Sequence, residues 1–248
     1  MNEQQCIGII NGLLTQGDLA MQRGNIDAAK SAFQRAKDMS REISSGQNTG
    51  FAIACDKLGD IARWSGEYST AREQYHQALP IFRDLASTNT EQRRDVSLCL
   101  SKLGELNLAE KNLSAAEIAL EEHYKIAQQN AASDPSDCEL QRDLAGAHGR
   151  LQLLAMARSN LPEAVKHAEA AHTILEKLVG IDSSNIGWVQ DLAGSNCMFA
   201  SLLLRTGDKP RAMSMLTKGF GKLKQLDQQG RLDTKGKRLL AQLNDQLS

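Results

Sequence analysis

One pattern of paired helices recurs along this chain, and its copies are spaced by 42, 45, 48 and 48 residues. A repeat constrains a fold more than composition does, because each copy packs on its neighbours and the whole is built by stacking. The clearest copy is Lys57–Leu79, KLGDIARWSGEYSTAREQYHQAL. Ala71, Tyr75 and Ala78 lie on one face of its second helix, and Ser65-Gly66 supplies the turn before it. Small residues at Gly59, Ala71 and Ala78 let the two helices approach, with Tyr75 filling the space beside them. A glycine inside a helix costs about 1 kcal/mol relative to alanine, so its use at position 59 points to close packing.

With Ala71 as the register mark, the other copies align at Ala29, Ala116, Ala164 and Ala212. Twelve residues earlier stand Gly17, Gly59, Gly104, Gln152 and Ala200. Five earlier, at the turn, stand Gly24, Gly66, Lys111, Ser159 and Gly207. Four later stand Phe33, Tyr75, Leu120, Ala168 and Leu216, and seven later Ala36, Ala78, His123, Ala171 and Gly219. His123 breaks an otherwise small row. A second echo places Asp95, Asp143 and Asp191 at equal 48-residue steps in QRRDVSLCLSKLGEL, LQRDLAGAHGRLQLL and WVQDLAGSNCMFASL.

The Leu-Gly pair of LGDIARWSGEYSTAREQYHQA and LGELNLAEKNLSAAEIALEEH, followed by the small–aromatic–small series, resembles the tetratricopeptide repeat (TPR) family. The standard repeat is about 34 residues long. The longer period here is similar to the extended variants of bacterial repeat proteins and kinesin light chains. The resemblance covers Ile10–Asp227 and departs from the family pattern at Gln152, Ala200, Ala168 and Leu216. It implies an all-α fold, a right-handed α-solenoid of about five antiparallel helical hairpins, with the first helix of each lining a concave groove. The expected hairpins span 3–44, 51–87, 91–131, 137–179 and 185–227 in one array over residues 1–248, with a capping helix at 231–247. In that last helix Leu239, Leu243 and Leu247 form one stripe.

Local signals set the element ends. The linker Ser44–Gly50, SSGQNTG, is the most turn-rich stretch. Thr88 to Glu91 and Ser136 to Glu139 have capping-box spacing ahead of the third and fourth hairpins. Pro80 falls inside a helix and is expected to bend it or to start its last segment. Pro162 and Pro210 suit a first helical turn.

Composition agrees with an all-helical chain: aromatics are 4% of residues, and no alternating Val/Ile run occurs. The formal net charge of −1 gives no general attraction to nucleic acid. The segment from Arg205 to Ser248 is basic, with ten Lys/Arg against four Asp/Glu, and reads either as a solvated face or as a surface for an acidic partner. Five scattered cysteines without a CxxC pair read as reduced thiols of a cytoplasmic protein. Glu3 with no Lys or Arg ahead of the run Ile7–Leu14 argues against a signal peptide, and no apolar run reaches the ~20 residues of a membrane span.

No catalytic, cofactor or metal motif is present: there is no phosphate loop, HExxH or GxSxG, and His167 and His172 are off same-face spacing. The candidate binding residues lie around the Leu-Gly pair. Lys57, Lys102 and Arg150 precede it, while Asp18, Asp60, Glu105 and Leu153 follow it. These charges either line a polar groove that grips a peptide or pair with each other between neighbouring repeats. Arg63 and Trp64 are particular to the second copy, and Trp64 serves either as an anchor for a partner or as a cover for the turn. Leu153 and Met156 make the fourth copy more apolar, as an amphipathic partner helix would require. Trp188 reads as a packing residue. The family's two-carboxylate clamp for chaperone tails needs Lys and Asn where this chain has Leu14, Asp56, Ser101, Gly149 and Cys197. The resulting expectation is a non-enzymatic scaffold or adaptor for a protein or peptide, with homo-oligomerisation open. The alternative is a regulatory sensor that responds to a peptide or small molecule.

Overall fold

The computed structural model describes residues 2–43, 49–88 and 92–247. Among them the elements are α-helices: α1 (Glu3–Gln22), α2 (Ile26–Arg41), α3 (Thr49–Trp64), α4 (Tyr68–Thr88), α5 (Arg93–Ala109), α6 (Leu113–Ser133), α7 (Cys138–Ala157), α8 (Leu161–Ile181), α9 (Ile186–Thr206), α10 (Lys209–Gln228) and α11 (Thr234–Leu247). They form two compact units, Met1–Ile126 and Ala127–Ser248. In the first, α1 packs on α2 and α3 on α4, with α2 and α4 each joined to the next pair. In the second, α7 packs on α8 and α9 on α10, and α11 lies on α9 and α10.

The register alanines are the contact points. Ala29, Ala71, Ala116, Ala164 and Ala212 are all 0% exposed. Beside them, the first helix gives way to a large residue on the second. A Cβ on Gly59 would sit 2.5 Å from the Tyr75 ring, and Gly17 and Gly104 are filled in the same way by Phe33 and Leu120. In the fourth copy the residues at the two positions are Gln152 and Ala168, and both are buried. The odd His123 is also buried, and its Nδ1 lies 2.8 Å from Ser97 Oγ.

Each turn is closed by one left-handed residue: Gly24 (φ 73°), Gly66 (φ 78°), Lys111 (φ 61°), Ser159 (φ 59°) and Gly207 (φ 90°). The next amide donates back into the first helix, from Asn25 to Ala20 (2.9 Å) and from Glu67 to Ala62, Asn112 to Asn107, Asn160 to Ala155 and Asp208 to Leu203 (each 2.8 Å). Asn25, Asn112, Asn160 and Asp208 then cap the second helix, their side chains accepting from Ala28, Ala115, Glu163 and Arg211 N–H. One dipeptide thus ends one helix and starts the next.

Two sequence expectations at element ends resolve differently. The cap of α7 is Asp137, which accepts from Glu139 and Leu140 N–H, whereas Ser136 donates to Asp134. A carboxylate in that position competes better for two amides than a hydroxyl one residue earlier. α4 runs through Pro80 as one helix, so no separate segment begins there, and burial of Ala78, Leu79 and Phe82 offsets the missing donor. The Thr88–Glu91 capping box and most of the Ser44–Gly50 linker lie outside the described residues. In α11, Leu243 is buried, and Leu239 and Leu247 pack on the core of the second unit.

A non-glycine residue in left-handed backbone costs about 1–2 kcal/mol. Lys111→Gly and Ser159→Gly are therefore expected to stabilise the chain by about 1 kcal/mol each. Gly66→Ala is expected to destabilise it by a similar amount, read from urea midpoints.

Candidate functional site

The charged rows around the Leu-Gly pair face one another between consecutive hairpins. Lys57 meets Asp18 at 2.9 Å, and Arg63 meets Glu105 at 2.9 Å. Lys102 lies 2.7 Å from Asp56 and 2.8 Å from Asp60. Asp60 also accepts from the Tyr75 hydroxyl at 2.8 Å, which ties this cluster to the contact at Gly59. Outside the rows, Arg83–Glu122 (2.7 Å) and Arg72–Glu110 add links in the first unit, and Arg142–Asp191 (2.7 Å) and Arg211–Glu169 (2.6 Å) in the second. Each pair joins residues about one repeat apart.

The Lys102 cluster is the most enclosed of these. Burial pulls the ammonium pKa down, but Asp56 and Asp60 outweigh it and hold the group above its usual range. Burial raises the Asp56 carboxyl despite Lys102. Burial followed by Asp60 pushes the Tyr75 hydroxyl up, so it stays protonated and donates. Two carboxylates share one cation here, and removing that cation leaves both in a poorly solvated place.

The remaining candidates differ from this ladder. Trp64, at the last position of α3, is 63% exposed beside the Arg63–Glu105 pair, and Tyr68 is exposed on the other side of the same turn. In the second unit, the Arg150 guanidinium donates to the Gly146 carbonyl at 3.1 Å, Leu153 is exposed, and Met156 packs partly buried against the hydrophobic core. The structure thus brings Lys57, Asp60, Arg63, Lys102 and Glu105 into ion pairs of the first unit, with Trp64 alongside. Arg150, Leu153 and Met156 belong to the second unit. Trp188 is buried in that unit's core.

Sequence spacing missed one pair of titratable groups. His148 on α7 and His167 on α8 bring their Nδ1 atoms to 2.9 Å, and His167 Nε2 lies 3.1 Å from Glu163. Burial, then the neighbouring His167, lowers the His148 pKa to about 4, and burial lowers that of His167 against the pull of Glu163. One shared proton fits between the rings, and two repel. Among the described residues no group of three or more metal-ligating side chains converges. Burial raises the free thiols of Cys55, Cys99 and Cys197, Cys99 to about 12 and Cys197 to about 11, which leaves them unreactive at neutral pH. No described helix is long and apolar enough to cross a membrane.

Lys102→Met is expected to destabilise the first unit by about 1–3 kcal/mol, and adding Asp56→Asn to recover part of that loss in denaturant titrations. For His148, the folded state binds fewer protons than the unfolded state between about pH 4 and the unfolded value near 6.5. Stability is therefore full above that window and falls as pH drops through it. A loss of about 1–2 kcal/mol from pH 7 to 5 is expected by Trp188 fluorescence, and His148→Leu should flatten it.

A tetratricopeptide repeat model matches residues 10–43, the segment of α1 and α2. No curated protein matches the sequence. Among solved structures, BtubC (BKLC) from P. vanneervenii is 16% identical, with a TM-score of 0.71 over 91% of this chain and 84% of that one. The apo form of RapI is 14% identical, with a TM-score of 0.67 over 96% and 82%. A Rap protein complexed with Competence and Sporulation Factor is 14% identical, with a TM-score of 0.65 over 95% and 62%. The chain thus carries a tetratricopeptide repeat match over its first hairpin and shares the helical-hairpin fold of these structures.

Proposed function

We propose that this chain is a binding scaffold, without catalysis of its own, and that the first unit takes a peptide or partner helix along the first helices α3 and α5. Exposure of Trp64 carries the reading. A tryptophan gains the most from burial and is the residue type most concentrated at interface hot spots. Here it stands uncovered at a helix end whose neighbouring charges are already neutralised in pairs. The half-exposed pairs Arg63–Glu105 and Lys57–Asp18 supply polar contacts at the rim, where they contribute selectivity more than affinity. A solved Rap conjugation gene regulator of this fold is in complex with the Phr* peptide, which supports a peptide as one occupant the fold can accept. Free, buried thiols fit a reducing compartment such as the cytoplasm.

The test is affinity selection of displayed peptides on the intact chain, followed by titration of the selected peptide. Trp64→Ala is expected to weaken it at least tenfold, about 1.4 kcal/mol or more, with the fold unchanged. Ile118→Ala, at another exposed apolar residue of the same unit, should leave it unchanged. Equal affinity in the Trp64 variant refutes the assignment.

A further inference from the structure

The residue after each left-handed turn residue is Asn25, Glu67, Asn112, Asn160 or Asp208. Four of them cap the helix that follows. Glu67 does not: among the described residues no amide, hydroxyl or cation reaches its carboxylate, which stands exposed between α3 and α4. Its backbone still closes the turn, with its N–H on the Ala62 carbonyl at 2.8 Å and its own carbonyl accepting from Ala71 N–H at 2.9 Å. The second copy therefore forgoes the stabilisation that a short capping side chain supplies. The same turn is flanked by two aromatic residues found at no other turn. Trp64 stands where the other copies have Gln22, Ala109, Ala157 and Arg205, and Tyr68 where they have Ile26, Leu113, Leu161 and Lys209. Trp64 is 63% exposed and Tyr68 40%. Both cations of the segment are already held, Arg63 by Glu105 and Arg72 by Glu110, so the charge left over at the turn is negative. A local choice that gives up stability where the sister copies keep it marks a place kept for contact.

We infer that this turn receives a lysine or arginine side chain of the partner, laid against Trp64 or Tyr68 with Glu67 as its counter-charge, an assignment that rests on Trp64 being the partner's anchor and names what it anchors. The faces of indole and phenol rings attract cations, tryptophan most strongly. The end of α3 and the start of α4 meet here with opposing dipoles, so the Glu67 carboxylate sets the local sign. The backbone holds the three residues together: Gly66 N–H donates to the Arg63 carbonyl at 3.1 Å and Tyr68 N–H to the Gly66 carbonyl at 3.0 Å, which folds the chain back within one turn. A lysine or arginine stem is long and apolar enough to lie on a ring while its charged head reaches the carboxylate. Other ligand groups suit the place less well. An apolar side chain covering Trp64 would strip water from Glu67 without pairing it, and an acidic one would face a like charge.

Peptides selected by display on the intact chain, then titrated against variants of it, test this. The selected sequences should carry Lys or Arg, and Gln in that place should weaken binding about fivefold or more. Glu67→Asn should weaken the same peptide about threefold or more. It should also raise the urea midpoint of the chain, because Asn caps the helix at this place in three sister copies, so the lost affinity is not lost folding. Glu67→Lys should weaken the peptide further, and Glu in place of the peptide's Lys or Arg should restore binding to that variant. Peptides that are lost with Trp64→Ala but lack Lys and Arg, or bind equally to Glu67→Asn, overturn the inference and leave the scaffold reading standing. Peptides indifferent to Trp64→Ala overturn both.

Discussion

Two helices meet at backbone distance only where one of them offers no side chain. The structure depends on that condition being met at each register alanine. The alanines are wholly buried, and beside three of them the space is filled once, by Phe33, Tyr75 or Leu120 against a glycine. Where the contact sits depends in turn on the left-handed residue that closes each turn. It fixes how the second helix leaves the first, and in four of the five turns the following Asn or Asp pins its start. Hydrophobic burial is spread along the units, but the contact and turn decide which residues share it.

The ion pairs follow from this geometry. Stacking places the first helices of consecutive hairpins side by side, so charges about one repeat apart in sequence become neighbours in space. Asp18–Lys57, Asp60–Lys102 and Arg63–Glu105 are rungs of that kind. Most are half-exposed and add little stability each. The Lys102 cluster, more enclosed and linked through Tyr75 to the helix contact, adds more. Charges used between repeats have less to offer a ligand, and the proposed binding role therefore rests on Trp64 and not on them.

The register was legible in the sequence because it rests on small residues recurring at helical intervals, and five weak copies in phase reinforce one another. The turn row was legible for the same reason, even where Lys111 and Ser159 replace glycine. The charged rows were visible, but their partners were not, since a groove and a ladder need the same residues at the same spacing. Asp137 was hidden as a cap by the better-known motif one residue before it. The His148–His167 pair left no local signal, because the two residues lie on different helices across a turn.

A photo-crosslinking side chain placed at position 64, compared with one at position 118, separates a binding surface at Trp64 from mere solvent exposure. Ile118 is 71% exposed on the same unit, so it samples solvent at least as well as Trp64. A peptide selected on the intact chain is expected to crosslink from position 64 and not from position 118. Equal capture from both positions, or capture from 118 alone, would contradict it.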